Sequence, residues 1–218
     1  MIPIKVLVPS GVLGLGFDLE ALNNGVKNNP DIISIDGGST DSGPYSLGSG
    51  TSKYSRAAIK AEWKCLMIAR EKAKVPLVIG SCGTCGTNGM VDWMENITTE
   101  LAKELNQNIK IAKLYCQQEK TFIKKNLQLR KIFPLNPAPM LNGQLIEEMT
   151  NIVALAGAEQ IQECINTGAE IILAGRTTDT AIISALPLIK GADPGSSWHG
   201  AKVVECGAYV QQIPHLVL

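Results

Sequence analysis

The sequence predicts an α/β fold, doubly wound, with a mostly parallel sheet and helices on both faces. Three observations carry that expectation. Short continuous apolar runs, IISID (32–36), PLVIGS (76–81) and AEIILAG (169–175), read as strands buried on both faces. Between them lie stretches of ten to twenty residues with helical spacing of apolar side chains, as expected of strand–helix–strand units. Finally, each of these strands runs straight into a glycine-rich turn, and in such sheets the ligand crevice lies beyond the carboxyl ends of the strands.

The elements follow in order. IKVLVP (4–9) is a short strand that ends in the turn SGVLGLGFD, and LEALNNGVKNN is a weak helix closed by Pro30. The β-branched run 32–36 is the second strand. Residues 55–74 place Ala58, Trp63, Leu66, Met67 and Ala69 near helical spacing. The strand 76–81 leads through CGTCGTNG to a helix from Met90 to Leu105. IKIAKLY (109–115) is followed by the polar helix QQEKTFIKKNLQL. FPLNPAPMLNG (133–143) holds three prolines and reads as a connecting loop. A helix over 158–168 precedes the strand 169–175, and GRTTDTAIISALPLIKG opens another helix. One domain over 1–218 is expected, since a chain of 218 residues can bury a sizeable core without disulfides.

Bulk properties exclude several functions. Twenty basic and twenty acidic side chains cancel, so no basic field attracts nucleic acid. No apolar run approaches the ~20 residues of a membrane span, and the N-terminus lacks the pattern of a signal peptide, which leaves a soluble, cytoplasmic protein as the expectation. The six cysteines are scattered and expected to be reduced.

The chemistry is concentrated in the strand-end turns. In the turn from Asp36 to Gly50, the glycines Gly37, Gly38, Gly43, Gly48 and Gly50 permit close backbone approach. Ser39, Thr40, Ser42, Ser46, Ser49, Thr51 and Ser52 supply hydroxyls. These residues could cradle a phosphate or carboxylate, aided by the dipole of the helix beginning near Ser55 and by Lys53 and Arg56 as countercharges. The alternative is a solvated loop that only caps a helix. GVLGLG has the wrong glycine spacing for a dinucleotide fingerprint.

A second turn echoes the first. IDGGSTDSG and LAGRTTDTA both follow an apolar strand and place Asp41 and Asp179 at equivalent offsets. Arg176, with Thr177, Thr178 and Thr180 after it, is placed for a bidentate grip on an anion. It could equally be tied to Asp36, Asp41 or Asp179, and Asp179 could be a simple helix-end acid. Cys82 and Cys85 form a C-x-x-C pair before a helix, where a dipole would lower a thiol pKa; the alternative is small residues lining a pocket floor. Two thiols are half a zinc site, and only His199 and His215 could add to them, so no metal is expected. His199 is a candidate general acid or base, and a helix there would set Lys202 beside it; a structural histidine is the alternative. His215 is expected to face solvent.

These stretches resemble a known family. GFDLEALNNG, DGGSTDSGPYSLGSGTSKYSR, PLVIGSCGTCGTN followed by VDW, LAGRTTDTA with ALPL after it, and WHGAKVVECG occur in an order similar to that of the acyclic terpene utilisation (AtuA-like) proteins, formerly a domain of unknown function. The resemblance implies a role in breaking down citronellol- and geraniol-type branched acids as acyl-CoA thioesters, beside biotin-dependent acyl-CoA carboxylases. It supplies no catalytic residue set. Members are longer, so the chain is expected to match their N-terminal portion, with part of the pocket coming from elsewhere. They also carry small residues where this chain has Cys82 and Cys85.

Together these readings lead to an expected function. An acyl-CoA or similar anionic small molecule is bound by Gly37, Gly38, Ser39, Thr40, Ser49, Thr51, Lys53, Arg176, Thr177, Thr178 and Asp179. Asp36, Asp41 and His199 then exchange protons in lyase- or hydratase-like chemistry. A homo-oligomer is expected, without nucleic acid or membrane partners and with no cofactor beyond a CoA thioester ligand. The rival is a non-catalytic assembly or regulatory subunit partnering an acyl-CoA carboxylase; a third reading is a thiol oxidoreductase using Cys82 and Cys85.

Overall fold

The structure is a computed structural model that describes residues 3–38 and 43–207. Ser39, Thr40, Asp41, Ser42 and His215, named above, lie outside the described residues. Five parallel strands form one sheet in the order β1-β2-β3-β5-β4: β1 (Val6–Leu7), β2 (Ile32–Asp36), β3 (Leu77–Gly80), β4 (Ile111–Leu114) and β5 (Ile171–Ala174). The α/β expectation is met. β1 is shorter than its apolar run because Ile4 and Lys5 fall outside the ladder and Pro9, with no N–H, cannot extend it.

Chain direction decides which face each helix covers. Between β1 and β4 the chain moves across the sheet in one direction, and α1 (Leu19–Lys27), α3 (Arg56–Ala73) and α4 (Asn88–Glu104) share one face. They pack Leu22, Val26, Trp63, Met67, Met94 and Ile97 on Ile33, Ile35, Leu77, Ile79, Ile171 and Leu173. The step from β4 back to β5 reverses direction. Right-handed crossover then puts α7 (Ala158–Asn166) on the opposite face, joined there by α8 (Ala181–Ile189) and α9 (Pro194–Val204) over Ile32, Val78, Ile172 and Ala174. The pleat sorts the strand side chains between the two cores, which is why the strands are mostly apolar, with Ser34, Asp36 and Lys113 the polar exceptions.

Three short or polar helices complete the chain: α2 (Tyr45–Ser49), α5 (Lys120–Gln128) and α6 (Gly143–Glu148). α2 and α6 lie partly or wholly in stretches read from sequence as loop. α2 is a five-residue turn started after Pro44 and closed by Gly50 at φ 68°, and α6 is capped by Asn142, whose Oδ1 accepts from Leu145 N at 2.9 Å. Neither is long enough to show a hydrophobic period. Among the described residues no helix is long and apolar enough to cross a membrane.

The reversal positions the site. β3 and β5 are neighbours, yet the chain leaves β3 toward α4 on one face and β5 toward α8 on the other. Their diverging turns open a crevice at the carboxyl edge of the sheet.

Trp63, fully buried in the first core, donates from Nε1 to Thr98 Oγ1 at 2.9 Å. Thr98→Val keeps the shape and orphans that N–H, so guanidinium denaturation followed by tryptophan fluorescence should show a loss of roughly 1–3 kcal/mol.

Candidate functional site

Three strand-end turns interlock at the crevice. From β2, Gly37 N donates to Gly80 O at 2.7 Å; a Cβ on Gly37 would stand 2.6 Å from Ser81 O, so only glycine fits. From β3, the turn 81–87 returns Thr84 N to Gly37 O at 3.0 Å. Ser81 at φ 47° and Thr84 at φ 68° hold left-handed backbone that non-glycine residues seldom adopt, a strain that clusters at functional sites. From β5, Arg176 reaches across both: its Nη1 donates to Gly38 O at 3.0 Å and to Thr84 O at 3.1 Å. The turns at 37–38 and 175–180 therefore meet in space.

Beside Arg176 opens a cleft of about 280 Å³, lined by Gly43, Pro44, Ser46, Leu47, Thr84, Cys85 and Arg176. One wall is α2. It is held from outside by Thr150, whose Oγ1 donates to Gly48 O at 2.7 Å, and by Asn151, whose Nδ2 donates to Leu47 O at 2.8 Å. The segment that carries these two also receives the Arg176 backbone, through Ala156 N donating to Arg176 O at 2.9 Å. Wall and guanidinium thus share one support.

Asp36 lies behind the cleft rather than in its lining. The pleat turns its side chain toward the α8 face, with Ile32 and Ser34. Only 3 % of it is exposed, Oδ2 accepts from Gly38 N at 3.0 Å, and Oδ1 has no hydrogen-bond partner among the described residues. Burial, joined by the nearby Asp179 carboxylate and opposed by Arg176, pushes its pKa up to about 7. A proton can therefore be held or released there near neutrality.

The other residues singled out from sequence have varied settings. Thr177 is fully buried, and its Oγ1, with no hydrogen-bond partner among the described residues, occupies the space a Cβ on Gly80 would need. Thr178 Oγ1 accepts from Ala181 N at 3.1 Å and so caps α8. Asp179 is half-buried within electrostatic reach of Asp36 and Lys202. Ser49 Oγ donates to Tyr45 O at 2.8 Å and lies 2.7 Å from Thr51 Oγ1, so these hydroxyls serve the end of α2. Lys53 is exposed, its Nζ 5.8 Å from the centre of the Tyr54 ring, while its N–H donates to Thr84 Oγ1 at 3.1 Å. His199 is exposed on α9, one turn before Lys202 as anticipated.

The cysteine pair is set as small residues beside a pocket rather than as an activated thiol pair. α4 begins at Asn88, too far along the chain for its dipole to act on Cys82, and burial, with Asp36 and Cys116 nearby, pushes the Cys82 thiol well up. Cys85 lines the cleft, with its Sγ 3.4 Å from Thr87 Oγ1. Among the described residues no group of metal-ligating side chains comes together.

The model of a family described as "Acyclic terpene utilisation family protein AtuA" matches residues 43–212. The chain belongs to the AtuA family. No curated protein and no solved structure matches it. All seven lining residues of the AtuA cleft fall inside the matched span, whereas Asp36, Gly37 and Gly38 fall just before it.

Sequence reasoning missed Pro44 and Leu47 as cleft residues of this AtuA protein, whereas Thr84 and Cys85 lie in the C-G-T-C turn that it read as the small-residue floor of a pocket. The signal for that turn was the glycine density of GSCGTCGTNG: Gly83 and Gly86 adopt positive φ, and a Cβ on Gly86 would lie 2.4 Å from Arg176 N.

Asp36 gives a pH test. Its folded pKa is raised, so its contribution to stability is full below about pH 4 and is lost as pH rises through about 7, where a buried charge must form. Asp36→Asn should flatten that slope and be more stable than the native chain at pH 8, by on the order of 3 kcal/mol, in urea titrations at pH 5 and pH 8.

Proposed function

We propose that this AtuA-family protein binds a small organic anion of acyclic terpenoid or branched-chain acid catabolism in the cytoplasm. The candidates are an acyl-CoA or a similar anionic small molecule, and the reaction is lyase- or hydratase-like proton transfer. One observation supports the binding step above the rest: a guanidinium stands at the edge of the cleft with Nη1 committed to two carbonyls, while Nε and Nη2 find no acceptor among the described residues. A cation so placed favours an anionic guest with two acceptor oxygens.

The proton-transfer step rests on Asp36. Its carboxyl, balanced near neutrality and electrostatically coupled to Arg176, has the affinity for a proton that a general acid or base at cellular pH requires, and from behind the lining it would act on the guest through one water. In this reading Asp41, with Ser39 and Thr40, completes the rim contributed by the β2 turn, and His199 is the outer proton carrier. His199 has the weaker support, since it is exposed on α9.

Turnover is tested by incubating the protein with geranyl-type and methylcrotonyl-type CoA thioesters and following the gain or loss of water by mass spectrometry. Arg176→Lys should lower kcat/KM roughly tenfold to a hundredfold, the worth of a bidentate charged contact. The rate should change around pH 7 in the native chain, and this transition should vanish in Asp36→Asn. Binding without turnover under every condition overturns the enzymatic part.

A second reading, an assembly subunit, is favoured by one feature. The proline-rich stretch after α5 leaves Phe133 72 %, Leu135 87 % and Met140 86 % exposed. Clustered apolar side chains of this kind mark interaction surfaces. On this reading, Leu135→Ser with Met140→Ser should abolish co-elution with acyl-CoA carboxylase subunits, or self-association, in size-exclusion chromatography with light scattering. The protein's thermal midpoint should stay the same.

A further inference from the structure

We infer that the cleft takes the carboxylate of a free apolar-chained acid, rather than the phosphates of a CoA. This refinement rests on the anion-binding reading above. Charge is the first ground. CoA carries several phosphate charges, whereas Arg176 is the one cation among the described residues lining the cleft. One guanidinium matches one carboxylate.

Geometry is the second. With both Nη1 protons held by Gly38 O and Thr84 O, the guanidinium plane is fixed. What remains is the Nε–Nη2 edge, two parallel donors that fit the two oxygens of a carboxylate. Arg176 is only 9 % exposed, so its charge is little screened and favours an anionic acceptor on that edge.

The third ground is the wall. Pro44, Leu47 and Cys85 are apolar, and Ser46 and Thr84 add only hydroxyls. A volume of about 280 Å³ falls just under the range of roughly 300–1,000 Å³ that accommodates drug-sized ligands, which suits a medium-chain acid and is too small for a CoA.

The last ground is the state of the other anion cradles. In a doubly wound sheet the turn after β1 is the usual seat of a pyrophosphate. Here Gly14 N and Gly16 N already donate to the Glu62 carboxylate, at 2.6 and 2.9 Å. Three helix starts facing the same edge are capped by side chains: Asp18 accepts from Ala21 N at 2.9 Å, Ser55 from Ala58 N at 3.2 Å and Thr178 from Ala181 N at 3.1 Å; α4 has no such cap at Thr87, and there Gln117 Oε1 accepts from Asn88 N at 3.2 Å. Internal oxygens have taken the places where phosphates would bind.

Isothermal titration of the whole chain with decanoate, decanol and decanoyl-CoA tests this. Decanoate should bind about tenfold or more tightly than decanol, and decanoyl-CoA no more tightly than decanoate. Arg176→Lys should erase the preference for decanoate over decanol while leaving decanol binding in place. That ratio stays readable even if the loops loosen. Leu47→Ser, which alters the wall and leaves the clamp alone, should weaken decanoate and decanol together by several-fold. Tighter binding of decanoyl-CoA than of decanoate, or a decanoate affinity indifferent to Arg176→Lys, overturns the free-acid assignment and leaves the acyl-CoA reading standing. Binding of neither anion overturns both.

Discussion

The crevice depends on one buried cation making two hydrogen bonds. Removing a guanidinium from water is costly, and here the cost is offset by two carbonyl acceptors and by the field of Asp36. In return, Arg176 fixes the β2 turn, the β3 turn and itself in one arrangement. The carbonyls it uses belong to Gly38 and Thr84, both at positive φ, at 148° and 68°. Glycine takes the first freely, whereas the left-handed backbone of Thr84 is not favoured on its own account. The clamp therefore stabilises the strained β3 turn, and the two turns orient the clamp.

Glycine makes this interlock sterically possible. The β3 turn has to pass between the ends of β2 and β5, and each neighbour yields room by lacking a side chain. A Cβ on Gly37 would meet Ser81 O at 2.6 Å, and one on Gly175 would meet Gly86 O at 2.8 Å. This explains the echo between IDGGSTDSG and LAGRTTDTA, in which Gly37 and Gly175 hold the same offset. The two motifs flank one intruding turn, and both solve the same packing problem.

The fold was legible because its signals are long-range averages. Apolar runs at 32–36, 77–80 and 171–174 could only be strands buried on both faces, and the helix over Arg56–Ala73 buries Trp63, Leu66, Met67 and Ala69 as its spacing implied. Arg176 was legible too, since an arginine directly after a buried strand has few reasons to be there. The hydroxyls were less informative. A serine or threonine near a glycine turn can serve a ligand or its own backbone, and Ser49, Thr51, Ser55 and Thr178 satisfy helix ends instead. Of the two readings of the C-G-T-C turn, the pocket floor fits better than the redox pair: Cys85 lines the cleft, and α4 starts six residues after Cys82. The cleft residue Leu47 was hidden because a five-residue helix leaves no periodic trace.

Burying Asp36 behind Arg176, instead of beside a guest, couples two equilibria. Ionised Asp36 and an anion on the Nε–Nη2 edge draw on the same positive charge, so each weakens the other's hold. An anion that occupies the edge removes part of the attraction keeping the Asp36 pKa from rising further, and proton uptake follows by linkage. Oδ1, with no hydrogen-bond partner among the described residues, fits this arrangement, because a neutral carboxyl tolerates an unmet acceptor in a dry site far better than a carboxylate does. If the cleft holds an anion as proposed, the proton on Asp36 is tied to its occupancy through one guanidinium, without Asp36 touching the guest.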